Sequence, residues 1–247
     1  MQVVLLAAGL GSRLGTLTER VPKALIVVGE RTLLERALAF ASRVAPTRVV
    51  VVGGFGYALV AAELERLAGR PGPALPVRLV ENTRFREGNL ISLMAARTER
   101  TWVDEDFLLL NVDHIFRPAI AELVQPQVED VTAFIDTDRT LGGDDMKVER
   151  DTQGRVKTIA KTLTAYDCGY VGMTRVPGPA LARYFAEVDA ALAAEGTAIH
   201  VERVLARLAQ GQRPPACRDI SGHCWLEVDT PDERARAEEA LREPGWD

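Results

Sequence analysis

Two glycines and two cations follow the first apolar run of this chain. Val3-Val4-Leu5-Leu6 leads into Ala7-Ala8-Gly9-Leu10-Gly11-Ser12-Arg13, and Pro22-Lys23 comes nine residues after Arg13. Glycine has no Cβ, so Gly9 and Gly11 let backbone N–H groups approach an anion closely. Arg13 and Lys23 add fixed positive charge. The chemistry these types suit is phosphate binding; the plain alternative is a glycine-containing surface loop with solvated charges. Two common phosphate loops are excluded by the spacing. No GxxxxGK(S/T) occurs, so this is not a P-loop. The third glycine of GxGxxG is replaced by Leu14, and Gly53 rather than an acidic residue closes the second apolar run, so a nicotinamide dinucleotide site fails as well.

Two carboxylates far apart in the chain have matching contexts. Asp113 closes Leu109-Leu110-Asn111-Val112-Asp113, and Asp229 closes Trp225-Leu226-Glu227-Val228-Asp229. Carboxylates at the carboxyl edge of a sheet, beside a phosphate loop, are placed to hold Mg²⁺, which takes one or two carboxylates with phosphate oxygens and water. The alternatives are a turn aspartate for Asp113 and a helix N-cap for Asp229, because Thr230-Pro231-Asp232-Glu233 opens a helix. His114 is either a substrate-side group or a turn histidine.

The elements that must position these residues alternate in the first half. Apolar runs without alternation at 1–6, 48–52, 77–80 and 107–110 read as strands buried on both faces. Helical spacing at 32–44, 57–67 and 89–97 lies between them, with Thr32 and Glu35 forming a capping box. The segment 7–21 reads as loop. This β-α-β alternation predicts a parallel sheet covered by helices. The second half differs: strands at 131–135, 146–149, 156–159, 169–173 and 226–228, and helices at 179–194, 201–208 and 231–241. The expected fold class is α/β, one domain with a parallel half and a mixed half.

Composition bounds the partners. The chain has 247 residues, 47% hydrophobic and 26% charged, which excludes disorder as its main state. Thirty basic against thirty-five acidic side chains give −5, a poor match to nucleic acid. Cys168, Cys217 and Cys224 are too few and too scattered for a disulfide framework or a zinc site. No apolar run reaches a membrane span, and the N-terminal run lacks the basic start of a signal peptide. The expectation is a cytoplasmic protein, monomer or homodimer. Trp102 and Trp225 are read as core or rim aromatics, Cys168 as packing, and Trp246 as a terminal residue without a role.

LAAGLGSR followed by PK resembles the (L/V)AAGxGxR…PK signature of the sugar-phosphate nucleotidyltransferases, and the family pattern extends over the whole chain. The resemblance implies a single Rossmann-like (GT-A-like) nucleotidyltransferase domain, nucleotide-binding over about 1–115 and acceptor-binding over about 116–247. It implies that Ala8, Gly9 and Gly11, within the stretch Leu6, Ala7 and Ser12, lie along the base and phosphates of a nucleoside triphosphate. Arg13 and Lys23 then hold the phosphates, and Asp113 and Asp229 the catalytic Mg²⁺. Glu81-Asn82, followed by Gly88-Asn89-Leu90-Ile91-Ser92-Leu93, together with Val112-Asp113-His114 and Asp167-Cys168-Gly169-Tyr170, is similar to the cytidylyltransferase branch, most of all to inositol-1-phosphate cytidylyltransferases. Asn82, Asn89 and Ser92 then stand near the base, or alternatively serve a turn and a helix start. The phosphocholine enzymes are more distant at 88–90.

For the acceptor, the resemblance assigns Lys161 to its phosphate and Asp167 and Gly169 to its binding turn. His114, Lys147 and Glu202 complete the candidate set. The alternatives are solvated strand-edge lysines and, for Glu202, a solvated helix face. The implied reaction is transfer of CMP from CTP to a small phosphorylated alcohol, inositol-1-phosphate favoured. Sugar-1-phosphate or phosphocholine acceptors with CTP or another triphosphate are the first alternative, and a non-catalytic nucleotide-binding module is the second.

Overall fold

Strands that are apolar on both faces need cover on both, and helices provide it on either side of one sheet. The structure is a computed structural model describing residues 1–70, 75–100 and 102–246. Its first half runs β1 (Gln2–Ala7), the hairpin β2 (Val27–Val28) and β3 (Arg31–Thr32), α1 (Leu33–Arg43), β4 (Arg48–Gly53), α2 (Tyr57–Ala68), β5 (Val77–Glu81), α3 (Asn89–Thr98), β6 (Phe107–Asn111), β7 (His114–Phe116) and α4 (Ile120–Val124). The second half adds β8 (Thr132–Asp136), β9 (Lys147–Arg150), β10 (Val156–Ala160), β11 (Cys168–Val176), α5 (Leu181–Glu195), α6 (Glu202–Ala209), β12 (Ala216–Asp219), β13 (Trp225–Glu227) and α7 (Pro231–Ala240).

Strands β5, β4, β1 and β6 are parallel neighbours in that order. Strand β11 then joins β6 antiparallel and also borders β8 and β9, while β10 extends β9. The expected parallel half and mixed half are thus one continuous nine-stranded sheet.

Residues of β1 alternate between two cores. Val4 and Leu6 pack with Leu90 and Leu93 of α3, Tyr184 and Val188 of α5, and Leu205 of α6. Val3 and Leu5 pack with Leu34, Ala37 and Leu38 of α1 and with Ile120 and Val124 of α4. Phe107 at the centre of the first core is fully buried; truncating such a residue to Ala typically costs about 3–5 kcal/mol. A third, smaller core joins Leu14, Val28, Leu33, Ile115 and Val228 to Ala237 of α7 and to Trp246. Trp246 is therefore no idle terminus: its ring is buried and carries the Arg117 guanidinium 4.8 Å from its centroid.

Two capping expectations resolve differently. Thr32 caps α1, its Oγ1 accepting from the Glu35 N–H at 3.1 Å, but the Glu35 carboxylate turns away to Arg70 and Arg66. The complete capping box lies instead on α7, between Thr230 and Glu233. Cys168 is buried, and burial pushes its thiol up to about 11, in keeping with a packing role. Among the described residues no helix is long and apolar enough to cross a membrane.

Candidate active site

The carboxyl ends of β1 and β6 meet where the chain reverses its direction across the sheet: β4 and β5 build outward on one side of β1, and β6 is added on the other. Open α/β sheets bind ligands at such a switch point. A cleft of about 450 Å³ opens there. Its walls come from the loop after β1, the β5–α3 loop, the residues after β6, the β8–β9 turn and the segment entering α6.

The loop after β1 winds through short 3-10 turns over Ser12–Thr18 and Lys23–Leu25. Gly11 has φ 68°, and a Cβ there would stand 2.9 Å from the Lys23 Cβ. The link between the glycine and the later lysine is therefore steric: a side chain at position 11 would push the Lys23 stem aside. Thr18 locks the loop by donating its hydroxyl to the Gly11 carbonyl at 2.8 Å.

Asp113 and Asp229 converge through a strand pair absent from the expectations. Strand β7 pairs antiparallel with β13, Glu227 opposite His114, and the Val228 N–H donates to the Asp113 carbonyl at 3.0 Å. The Lys23 ammonium then reaches both carboxylates, donating to Asp113 Oδ2 at 2.5 Å and to Asp229 Oδ1. Arg13 donates to Asp229 Oδ2 and, at 3.2 Å, to Asp144 Oδ2. The helix-cap alternative for Asp229 does not hold. Thr230 is the cap, and the Glu233 carboxylate accepts the Asp229 and Thr230 N–H groups, which leaves the Asp229 carboxylate to Lys23 and Arg13.

Burial opposes charge on Asp113, but Lys23 and His114 outweigh it and hold the carboxyl well below the usual range. His114 answers in kind: burial works against its charged form, yet the adjacent Asp113, 2.7 Å from Nδ1, raises it above the ordinary value. The imidazole stacks on Trp225 at 5.3 Å and 11°, and the Trp225 indole N–H donates to Asp136 at 2.7 Å. His114 is thus a fixed partner of Asp113 rather than a turn histidine.

Most of the expected nucleotide-side residues line the cleft: Leu6, Ala8, Gly9, Gly11, Ser12, Arg13, Lys23, Asn89, Ser92 and Asp113. Ala7 is buried within β1 behind them, and Asn82 stands one layer back, donating to Ser92 Oγ at 3.0 Å while its Oδ1 accepts from the Arg84 N–H. Gly88 and Asn89 do structural work. The Asn89 Oδ1 accepts from Val201 N–H at 2.8 Å, and a Cβ on Gly88 would sit 1.8 Å from the Ile199 carbonyl oxygen. The pair fastens the 197–201 segment to the start of α3. Gly88→Ala should lower stability by about 1–3 kcal/mol, the range for overpacking a tight contact; urea denaturation measures it, and an unchanged midpoint would refute the close contact.

On the acceptor side the expectations divide. His114, Lys161, Glu202 and the metal candidate Asp229 line the cleft. Lys147, Asp167 and Gly169 do not line it. The buried Lys147 ammonium donates to the carbonyls of Gly142 at 2.7 Å and Lys161 at 2.9 Å, so it pins the β8–β9 turn. The Asp167 carboxylate accepts the Arg150 N–H at 2.6 Å, and Gly169 is covered by Leu141. Sequence reasoning passed over Asp144, Asp145, Tyr170, His200 and Glu227, which do line the cleft. The Gly142-Gly143-Asp144-Asp145 run carried a turn signal for two of them; nothing local marked the others.

Comparison with known proteins places this geometry. The pattern of the MobA-like NTP transferase domain matches residues 3–211. The bifunctional IPC transferase and DIPP synthase of Rubrobacter xylanophilus is 33% identical over 98% of this chain and 51% of its own length. The CMP-5'-(3-aminopropyl)phosphonate synthase of Streptomyces rubellomurinus is 30% identical over 96% of this chain and 38% of its own. The chain thus spans about half the length, or less, of these curated relatives. Among solved structures, the inositol-1-phosphate CTP transferase from T. maritima superposes with TM-score 0.80 at 19% identity, covering 98% of this chain and 96% of that one. The CTP:phosphocholine cytidylyltransferase from Streptococcus pneumoniae follows the same fold with TM-score 0.71 at 20% identity, over 97% and 98% of the two chains.

Proposed function

The chain belongs to the MobA-like NTP transferase family, and on that premise we propose that it transfers CMP from CTP to a small phosphorylated alcohol, inositol-1-phosphate first, releasing pyrophosphate. The observation that carries this reading is the Lys23 ammonium held between Asp113 and Asp229 beside the glycine loop, at the sheet's switch point. The names of the relatives carry the choice of CTP and of the acceptor.

The residues do the following. Gly9 and Gly11 let the loop backbone lie close to the triphosphate. Arg13 and Lys23 exchange carboxylate partners for phosphate oxygens and neutralise charge on the departing pyrophosphate. Lys161, half-exposed in the cleft and 3.8 Å from Asp144, offsets repulsion between the two anionic reactants. The acceptor oxygen attacks the α-phosphorus as the bond to the bridging oxygen breaks. A phosphomonoester is already an anion, so no general base is needed, and catalysis is positioning and charge neutralisation.

The donor set fits magnesium. Two adjacent carboxylates already share one cation, Lys23, and no group of three or more His, Cys, Asp or Glu forms a metal cage among the described residues. Mg²⁺ suits such a half-site, because it completes its shell with phosphate oxygens and water. Held by Asp113 and Asp229, it would neutralise charge on the nucleotide phosphates.

A pyrophosphate-release screen of four nucleoside triphosphates against inositol-1-phosphate, phosphocholine and glucose-1-phosphate tests the reading. The expected result is fastest release from CTP with inositol-1-phosphate. Release with no pair would favour a non-catalytic nucleotide-binding module instead.

A further inference from the structure

Glu202 opens α6 as a buried carboxylate that no other side chain answers. It is 9% exposed and lines the cleft, and among the described residues no other side chain hydrogen-bonds or ion-pairs with it. A carboxylate so placed is unfavourable unless something compensates it. The cleft wall around it holds His200, Lys161, Met146 and Tyr170. The Tyr170 hydroxyl is already engaged with Thr174 at 2.8 Å. Burial pushes the Glu202 carboxyl up, against the pull of its own N–H, His200, His114 and Lys161.

The position is built, not incidental. The segment ahead of α6 is fastened to α3 by the Gly88 N–H on the Thr197 carbonyl at 2.9 Å and by Asn89 on Val201. The Gly-Asn pair that opens α3 on the nucleotide side therefore fixes where His200 and Glu202 enter the cleft.

Resting on the reading of this cleft as a nucleotidyl-transfer site, we propose that Glu202, with His200, is an acceptor-specificity element, taking hydrogen bonds from the hydroxyls of a polyhydroxylated alcohol phosphate. A quaternary ammonium is best recognised on aromatic faces, but the Tyr170 ring is only 6% exposed and Lys161 shares the wall. A hydroxyl serves both sides, donating to Glu202 while accepting from Lys161 or His200. Sites built to hydrogen-bond a hydroxyl reject analogues that lack it.

The test is calorimetric binding of inositol-1-phosphate and phosphocholine to wild type, Glu202→Gln and Glu202→Leu. Wild type should prefer inositol-1-phosphate. Glu202→Leu should weaken it by about tenfold or more, and Glu202→Gln by about two- to fivefold because the amide oxygen still accepts. Glu202→Gln should also melt at or above the wild-type temperature, since it removes a buried charge that no described side chain pairs directly. Unchanged inositol-1-phosphate binding in Glu202→Leu, a wild-type preference for phosphocholine, or binding of neither acceptor would overturn the proposal. Pyrophosphate release from CTP reports separately on the reaction: release that favours phosphocholine leaves nucleotidyl transfer standing and removes the polyol role of Glu202.

Discussion

Asp113→Asn and Asp229→Asn should each lower turnover by at least about a hundredfold, the scale on which single electrostatic groups at a reacting centre act. Asparagine keeps the volume and one acceptor oxygen but loses the charge that balances Lys23 in both cases. The fold should survive either change, because Lys23 keeps the other carboxylate and the β7–β13 pairing is made by backbone. The double variant should lose little more than the worse single one, since groups that act as a unit are non-additive. Steady-state rates with circular dichroism check this; near wild-type turnover in either variant would remove its carboxylate from the chemistry.

Lys23→Met should have the second large effect, on stability and rate together. The ammonium is largely buried between two carboxylates, and taking one partner from a buried ionic cluster costs about 3–5 kcal/mol. Methionine retains the apolar stem that passes Gly11, so the loss isolates the charge. Asp113 and Asp229 would then face each other with His114 on Asp113 and Arg13 on Asp229 as their remaining partners. A divalent cation that binds the folded state stabilises it by mass action. Mg²⁺ should therefore raise the melting temperature of Lys23→Met more than that of wild type, while turnover falls by about two to three orders of magnitude. Thermal melts with and without Mg²⁺ decide it. A variant as stable as wild type and indifferent to Mg²⁺ would mean that the two carboxylates do not form a cation site.

The parallel half was legible because its strands are apolar on both faces and its helices keep a 3.6-residue period; β1, β4, β5 and β6 fall within a residue or two of expectation. What periodicity could not show was pairing made by short, mixed segments. Strand β7 is three residues beginning at His114, and β12 is Ala216-Cys217-Arg218-Asp219. Yet β7 and β13 are what bring Asp113 to Asp229. The loop residues were legible because glycine and lysine are constrained together, as the Gly11–Lys23 contact explains. The acceptor wall was not. Lys147 and Lys161 look alike in sequence, and only burial separates the lysine that pins a turn from the one that faces the cleft. Asp167 turns to the Arg150 N–H and Gly169 lies against Leu141, whereas Tyr170, the next residue, reaches the cleft; a strand's alternation sends neighbours to opposite faces, and sequence alone does not say which face is the site. Glu202 shows the converse: a charged residue at a helix start reads as solvated until tertiary packing buries it.

If the group moved is the nucleotidyl unit, the α-phosphorus travels with it to the acceptor. CTP labelled at the α-phosphorus is incubated with the protein, Mg²⁺ and inositol-1-phosphate, and the products are separated. The expected result is label in a new cytidine-containing diphosphate diester, with unlabelled pyrophosphate released in equal amount. Label left in CDP while the γ-phosphorus moves to the acceptor, or CTP unchanged with every acceptor, would contradict it.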